Sequence, residues 1–249
     1  MKVSVITVIK NCGKFLESNI DSVHSQSYSN IEHIIIDAYS NDATVAIVDA
    51  NKSKIAHYVS EKDRGIYDGI NKGLRLAAGD VIAMLNGDDV YADENVINDV
   101  VNAFENSGTD AVYGDIVYVN KIDTNKVIRY WRAGEGDRAK IANGWMPPHP
   151  ALFIKKEVYD KYGYFNSNFY ISADYEIILR FLYMHRISIS YMHRLCVKMR
   201  IGGISNRNIF RILQKTCEDY KACKTYGIDK AAYAVMLKNL RKLSQFFKK

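Results

Sequence analysis

Across the first 115 residues, short unbroken apolar runs alternate with stretches in which apolar residues return every three or four positions. Val3 to Ile9 (VSVITVI) predicts a buried strand, and Phe15, Leu16, Ile20 and Val23 then mark one face of a helix. Ile31 to Ile36 predicts a second strand, followed by a short helix from Thr44 to Asn51. Ala56 to Val59 predicts a third strand, and a helix from Ile66 to Ala77 follows, terminated by Gly79. Val81 to Leu85 predicts a fourth strand, Asp93 to Phe104 a helix and Asp110 to Tyr113 a further strand. This alternation predicts an α/β domain, a Rossmann-like and mostly parallel sheet with helices on both faces.

From Gly114 the pattern changes. Ile116 to Val119 and Val127 to Trp131 flank Asp123-Thr124-Asn125 and predict a hairpin. All three prolines, Pro147, Pro148 and Pro150, then crowd one loop around His149. A short strand at Leu152 to Ile154, a helix at Lys156 to Tyr162, a helix beginning near Ala173 and a strand over 187–200 are predicted next. Two helices finish the chain, with no internal repeat.

A chain of 249 residues, 48% of them apolar, is long enough to bury a full core. No run approaches the roughly 20 apolar residues of a membrane span, and Met1-Lys2-Val3 leads into a strand rather than a signal peptide, so the expected location is cytoplasmic. Cys12, Cys196, Cys217 and Cys223 form no CxxC pair and the six histidines show no HExxH spacing. That favours reduced thiols over a disulfide or zinc framework. The formal charge of +6 is unevenly placed: residues 204–249 hold 11 Lys/Arg against 3 Asp/Glu, whereas residues 1–203 hold 23 against 25. A nucleic-acid binder would carry positive charge across the domain, so no nucleic-acid partner is expected.

The candidate chemistry begins where the fourth strand ends. VIAML runs into Asn86, Gly87, Asp88 and Asp89, placing two adjacent carboxylates at the mouth of a core strand. Repulsion and desolvation both oppose that arrangement, so water or a bound cation must compensate. Asn-Gly-Asp is ordinary turn chemistry; the sharper reading is a site for Mg²⁺ or Mn²⁺, which prefer carboxylate oxygens and commonly hold a substrate phosphate as well. Asp37 follows the strand HIII as Asp88 follows VIAML, so both project at the carboxyl edge of the sheet, where such folds bind ligands. There is no GxGxxG and no GxxxxGK[ST] to cradle a phosphate there.

Five segments in order, VSVITVIKN, IIIDAYSNDAT, DRGIYDGINKG, GDVIAMLNGDD and ISADYEIILR, resemble the family 2 glycosyltransferases of the GT-A fold, most of all bacterial members that build O-antigen or other surface polysaccharides. The resemblance spans about residues 1–205. It implies a nucleotide-sugar-binding half over 1–115 and an acceptor and catalytic half over 116–205, while the charge and apolar spacing of 206–249 mark a basic helical extension beyond it. It implies further that Asp37 contacts the uracil of a UDP-sugar, that Thr7 and Asn11 lie in the loop closing over the nucleotide, and that Arg64 is a second base contact. Asp88 takes the metal-binding position of the family's DxD motif, with Asn86 where the first Asp usually stands, facing a metal or a ribose hydroxyl. Asp174 takes the place of the catalytic base in the family's xED motif. Gly202-Gly203-Ile204-Ser205 resembles a late loop near the diphosphate, and Ala38-Tyr39 replaces the usual Gly-Ser after Asp37.

The function expected on this resemblance is metal-dependent, inverting transfer of a hexose from a UDP-sugar to a glycan acceptor, lipid-linked, in surface polysaccharide biosynthesis. A cation at Asp88 opposes the charge growing on the departing diphosphate, and Asp174 takes the proton of the acceptor hydroxyl. Helix capping is the alternative role for Asp174, a turn acid for Asp37 and an ion pair with Glu61 or Asp63 for Arg64. His149 either contacts acceptor or phosphate or simply orders its loop. Aromatic residues including Tyr67, Tyr91, Trp145 and Tyr170 stack on sugars or fill cores. In 231–247, Val235, Leu237, Leu240, Leu243, Phe246 and Phe247 recur near helical spacing beside Lys238, Arg241, Lys242, Lys248 and Lys249. Such a basic amphipathic helix either lies peripherally on an anionic membrane or packs on its own domain. Two other functions compete: a sugar nucleotidyltransferase, which would want a glycine-rich basic loop where NCGKFLESN stands, and a noncatalytic membrane or nucleic-acid binding module working through the tail.

Overall fold

The computed structural model describes residues 1–202 and 209–245. β1 (Val3–Ile9) lies between two parallel neighbours, β2 (Ile31–Asp37) and β4 (Val81–Met84), and β3 (His57–Ser60) extends the parallel set beyond β2. The connections are helical: α1 (Leu16–His24), α2 (Thr44–Ala50) and α3 (Ile66–Leu76). The central strands are buried on both faces, which is why they read as continuous apolar runs. On β2, Ile34 and Ile36 join one core cluster and Ile35 joins another.

The remaining strands complete one sheet of order β3-β2-β1-β4-β8-β6-β9-β5, with β7 also pairing β6. β4 accepts β8 (Leu152–Lys155) antiparallel, and β8 in turn pairs β6 (Ala111–Val119). β6 forms the expected hairpin with β7 (Val127–Trp131) and runs parallel to the long β9 (Ile189–Arg200). The break expected at Gly114 is not a break: one strand passes through it. A Cβ at Gly114 would come within 2.4 Å of the Cys196 sulfur on β9, so glycine here lets two strands approach. A two-residue strand, β5 (Val90–Tyr91), closes the far edge against β9.

α4 (Val96–Ser107) covers one face of the sheet with Val96, Ile97, Val100, Val101 and Phe104. α3 covers the other face, and two glycines set its distance. A Cβ at Gly73 would meet Ile6 at 2.5 Å and one at Gly69 would meet Val8 at 2.7 Å, so α3 lies nearly backbone-on-strand against β1. Short α5 (Arg138–Ala142) and α6 (Lys156–Tyr162) border the same core, and α7 (Ala173–Ile178) enters it with buried Tyr175, Ile177 and Ile178, continued by a π-helical turn over Leu179–Met184.

α8 (Ile209–Thr225) and α9 (Ala231–Ser244) pack onto that core through Ala222, Cys223, Ile228, Ala231, Ala234 and Val235. Lys238, expected on a charged outer flank, is turned inward. Its Nζ donates to Asp219 Oδ1 at 2.7 Å and lies 3.4 Å from the centre of the Tyr175 ring. Lys215 donates to the other oxygen of the same carboxylate at 2.7 Å. With Ala231, Ala234, Val235 and Lys238 inside, α9 turns to the core a different face from the one its leucines alone suggest. Among the described residues no helix is long and apolar enough to cross a membrane. Gly203, Ile204 and Ser205 of the expected diphosphate loop, and Phe246, Phe247, Lys248 and Lys249 of the tail, lie outside the described residues.

Candidate active site

The two acids after β4 have different fates. Asp89 is sealed inside: its Oδ2 accepts from the Asn86 side-chain amide at 2.9 Å and its Oδ1 from the Arg200 backbone N–H at 3.0 Å. Burial first, and then the neighbouring Asp88 charge, push its pKa up to about 8. Asp88 is half-buried, and among the described residues no group other than its own backbone N–H donates a hydrogen bond to its carboxylate. Burial raises its pKa against the opposing charges of Arg200 and Lys121. Arg200 explains how the turn tolerates two acids. Its guanidinium is buried beside Phe15 and donates to the carbonyls of Asp88 and Lys121 and to Ser18 Oγ.

Gly87 keeps the turn close to β1, because a Cβ there would meet Ile9 at 2.4 Å and the Cys12 sulfur at 3.1 Å. Cys12 registers the local negative field: burial, then Asp88, Asp42 and Asp89, push its thiol up to about 12. It is therefore no nucleophile at neutral pH. Asn86 spends its amide N–H on Asp89 and its carbonyl on Asp89 N–H and the Asn19 side chain.

The expected nucleotide residues form a framework beside this turn. Asp37 is fully buried, its carboxylate filled by Ser40 N–H and Oγ, by Ser60 Oγ at 2.7 Å and by Tyr58 OH at 3.2 Å. Asn11, at φ +50°, accepts from Asn41 N–H at 3.0 Å and donates its own N–H to Ser40 Oγ at 2.8 Å. The β1–α1 loop and the loop after β2 are thereby clamped together. Thr7 lies within β1 and not in the loop after it; its hydroxyl, fully buried, pairs with His33 Nε2 at 2.9 Å. Arg64 is exposed at the start of α3. The ion pairs considered for it are otherwise engaged, since Glu61 binds Lys72 at 2.9 Å and Asp63 accepts from Gly65 N–H at 3.1 Å.

Asp174 stands in the first turn of α7. Its Oδ1 accepts from Tyr175 N–H at 2.8 Å and from Tyr67 OH at 3.3 Å, whereas among the described residues nothing donates to Oδ2. Capping accounts for one oxygen only. Tyr67, from the DRGIYDG segment, donates mainly to Ile171 O at 2.7 Å and stacks on Phe165 at 5.6 Å, so α3 braces the loop ahead of the acid. From the other side Glu218 on α8 accepts the N–H groups of Ile171 and Ser172 at 2.8 and 2.9 Å. His149 sits edge-on to Phe165 with its Nδ1 buried and unpartnered; burial lowers its pKa while Asp174 pulls the other way.

Tyr118 on β6 links the two acidic sites. Burial raises its pKa most, Arg129 stacked 3.7 Å over its ring opposes, and both Asp89 and Asp174 add to the rise. One hydroxyl thus lies within electrostatic reach of the turn after β4 and of the first turn of α7. Tyr118 and Arg200 carried no signal in the sequence, since the acids they answer to stand on other elements, Asp88 lying 112 residues from Arg200. Tyr67 and His149 were visible as candidates only through their motif context.

A family model described as Glycosyl transferase family 2 matches residues 4–164. The chain belongs to that family. An uncharacterized glycosyltransferase of Mycobacterium tuberculosis is 31% identical over 186 residues, covering 72% of this chain and 68% of the relative. A PGL/p-HBAD biosynthesis glycosyltransferase of the same species is 26% identical over 208 residues, 82% of this chain and 78% of that protein. Among solved structures, S. aureus TarS in complex with UDP matches with a TM-score of 0.69 at 15% identity, covering 98% of this chain and 72% of that one. Mannosyltransferase PcManGT from Pyrobaculum calidifontis, in complex with GDP-Man and Mn²⁺, matches at 0.65 and 17% identity, covering 99% and 73%. At these identities the two structures establish the shared GT-A fold. As a family 2 glycosyltransferase the chain is an enzyme, and the nucleotidyltransferase and noncatalytic readings give way.

The residues at the β4 tip fit a divalent cation. Asp88 offers a partly desolvated carboxylate to which, among the described residues, no group beyond its own backbone N–H donates, and Asn86 Oδ1 is a second oxygen on the same turn. No group of three His, Cys, Asp or Glu able to hold a metal occurs among the described residues. One carboxylate plus substrate phosphates is a common way for a protein to hold Mg²⁺, so a cation here would enter together with a nucleotide diphosphate.

Proposed function

We propose that this family 2 glycosyltransferase moves a hexose from a UDP-sugar to a glycan acceptor, lipid-linked, with inversion, during cytoplasmic assembly of a surface polysaccharide. The observation that carries the reading is that Asp88 at the tip of β4 and Asp174 in the first turn of α7 each keep an oxygen without a donor among the described residues. In the reading, the clamp of Asn11, Ser40 and Asn41, held rigid by Asp37, forms the floor under the base, and Arg64 closes on it from the start of α3. Asn86 faces the ribose or the cation through Oδ1.

A divalent ion bound at Asp88 supplies positive charge opposite the departing diphosphate. The rest belongs to the chain. Asp174 Oδ2 accepts the proton of the acceptor hydroxyl as its oxygen bonds to the anomeric carbon, and the electron pair of the breaking C–O bond leaves on the diphosphate. Attack from the face opposite the leaving group inverts the anomeric centre, so an α-linked donor gives a β product. Tyr67 and Glu218 hold the loop so that Oδ2 stays aimed; Arg200 keeps the Asp88 turn in place without touching substrate.

The test is a panel of UDP-sugars and GDP-mannose with Mn²⁺ or Mg²⁺, read by thermal shift and by slow donor hydrolysis. Stabilisation that needs a uridine nucleotide and a metal together is expected. Equal stabilisation by UDP with and without metal would overturn the cation at Asp88, and preference for GDP-mannose would overturn the uridine donor.

A further inference from the structure

α8 and α9 bury one face each and leave the other bare. On α8, Asp219, Ala222 and Cys223 face the core, while on the opposite side Phe210 is 77% and Leu213 57% exposed, with Cys217 and Tyr220 also exposed. The intervals from 210 to 213, 217 and 220 are three, four and three, which makes one continuous stripe on the solvent side of a helix. α9 repeats the arrangement: Ala231, Ala234, Val235 and Lys238 point inward, and Tyr233, Met236 and Leu240 are each close to half exposed. The two stripes meet. Tyr220 and Tyr233 line one shallow groove of about 280 Å³ where α8 passes into α9, together with Lys224, Asp229 and Lys230. An apolar patch continuous over two helices and rimmed by charge marks an interaction surface.

The charge around the patch selects its occupant. Residues 209–245 hold eight Lys/Arg against three Asp/Glu, and with Lys215 and Lys238 spent inside on Asp219 six cations remain. Asp219 is closed by Lys215 and Lys238, and Glu218 by Ile171 and Ser172 N–H, which leaves Asp229 as the acid at the groove facing Lys224 and Lys230. A second copy of the chain would set like charges face to face, which opposes self-association. An anionic bilayer takes up the apolar stripe and the cations together.

We propose that the outer face of α8 and α9, centred on Phe210, Leu213, Tyr220, Tyr233, Met236 and Leu240, docks on an anionic lipid surface. This face differs from the one the sequence pattern suggested, because Val235 and Lys238 are spent inside. Its use rests on the transferase reading. The inner side of α8 fixes the loop of Asp174 through Glu218, so a bilayer against the outer side lies about one helix diameter, roughly 10 Å, from the segment that carries the base.

Cosedimentation of the full chain with vesicles of phosphatidylcholine and phosphatidylglycerol, against phosphatidylcholine alone, tests the proposal. Binding to the mixed vesicles that falls with salt is expected. The pair Lys224→Gln and Lys230→Gln should weaken it about 30-fold, and the pair Leu213→Asn and Met236→Asn should abolish it, both with the UDP-dependent thermal shift retained. Equal binding to both vesicle types, binding to neither, or a lipid-independent dimer that Leu213→Asn dissociates would each overturn it. Donor hydrolysis without vesicles is scored separately, so loss of that activity sinks the transferase reading and leaves the vesicle result intact.

Discussion

Asp89 at the tip of β4 and Asp219 on α8 are both sealed from water, and they are balanced in opposite ways. Asp219 receives two ammonium groups, and with that charge beside it the carboxyl stays below its ordinary pKa despite its burial. Asp89 receives, among the described residues, an amide and a backbone N–H, with a second acid next to it that the Arg200 charge does not offset, and its pKa rises to about 8. Where counter-charge is built into the fold, a buried acid is architecture. Where it falls short, as at the Asp88–Asp89 turn, the deficit leaves room for a cation brought in from outside.

The widest separation between the two kinds of acid should come at Asp174, whose open oxygen belongs to neither. Asp174→Asn is expected to lower transfer by about 10² to 10⁴-fold while leaving UDP-sugar binding in place, measured by initial rates beside calorimetric titration. Loss of donor binding in proportion to rate would make Asp174 a structural acid after all.

Next in size is a contrast in stability. Asp219→Ala leaves Lys215 and Lys238 facing each other inside the core and should cost about 3–5 kcal/mol in urea unfolding. Asp88→Ala removes a like-charge neighbour from Asp89 and should change stability by less than about 1 kcal/mol, while abolishing the metal dependence of the UDP thermal shift. Equal destabilisation by the two substitutions would erase the distinction drawn above.

The smallest effect is in pH dependence, and its two halves have opposite signs. Asp89 is raised to about 8 from an unfolded value near 4, so the folded chain holds the extra proton over that interval and stability falls as pH rises through it. Lys238 behaves in reverse. One carboxylate cannot balance two ammoniums, and with Lys215 holding its proton, burial lowers Lys238 to about 7. From there upward the unfolded chain binds more protons, and stability rises with pH. Urea midpoints across pH should therefore fall and then recover above about 8, with Asp88→Asn flattening the first limb and Lys238→Met the second. Two limbs unmoved by these substitutions would assign the slopes to other groups.

These differences follow the line between local and distant causes in the sequence. The four parallel strands were legible within a residue or so; in Val3–Ile9, Ile31–Asp37 and Val81–Met84 burial on both faces demands mostly apolar runs, whereas the half-exposed β3 showed only in His57–Ser60 and its place in the alternation. β5 was not legible, since two residues form a strand only because β9 passes them a hundred residues later. α5 was equally hidden, being five residues long. In the site, Asp88 and Asp174 stood out through motif and edge position. What neutralises or braces them did not: Arg200 reaches Asp88 across 112 residues, Tyr67 reaches Asp174 across 107, and Lys238 reaches Asp219 from the next helix. Periodicity reports which face a residue takes; it is silent on which charge waits there.

The glycines of α3 carry a consequence for the chemistry. Because Gly69 and Gly73 let the helix rest almost bare against β1, and because the first turn of the same helix carries the tyrosine that braces the acid loop, the thickness of that seam sets where the loop sits. A single methyl at position 73, deep in the hydrophobic interior and remote from any sugar, would lever Tyr67 outward and spoil the aim of the proton acceptor.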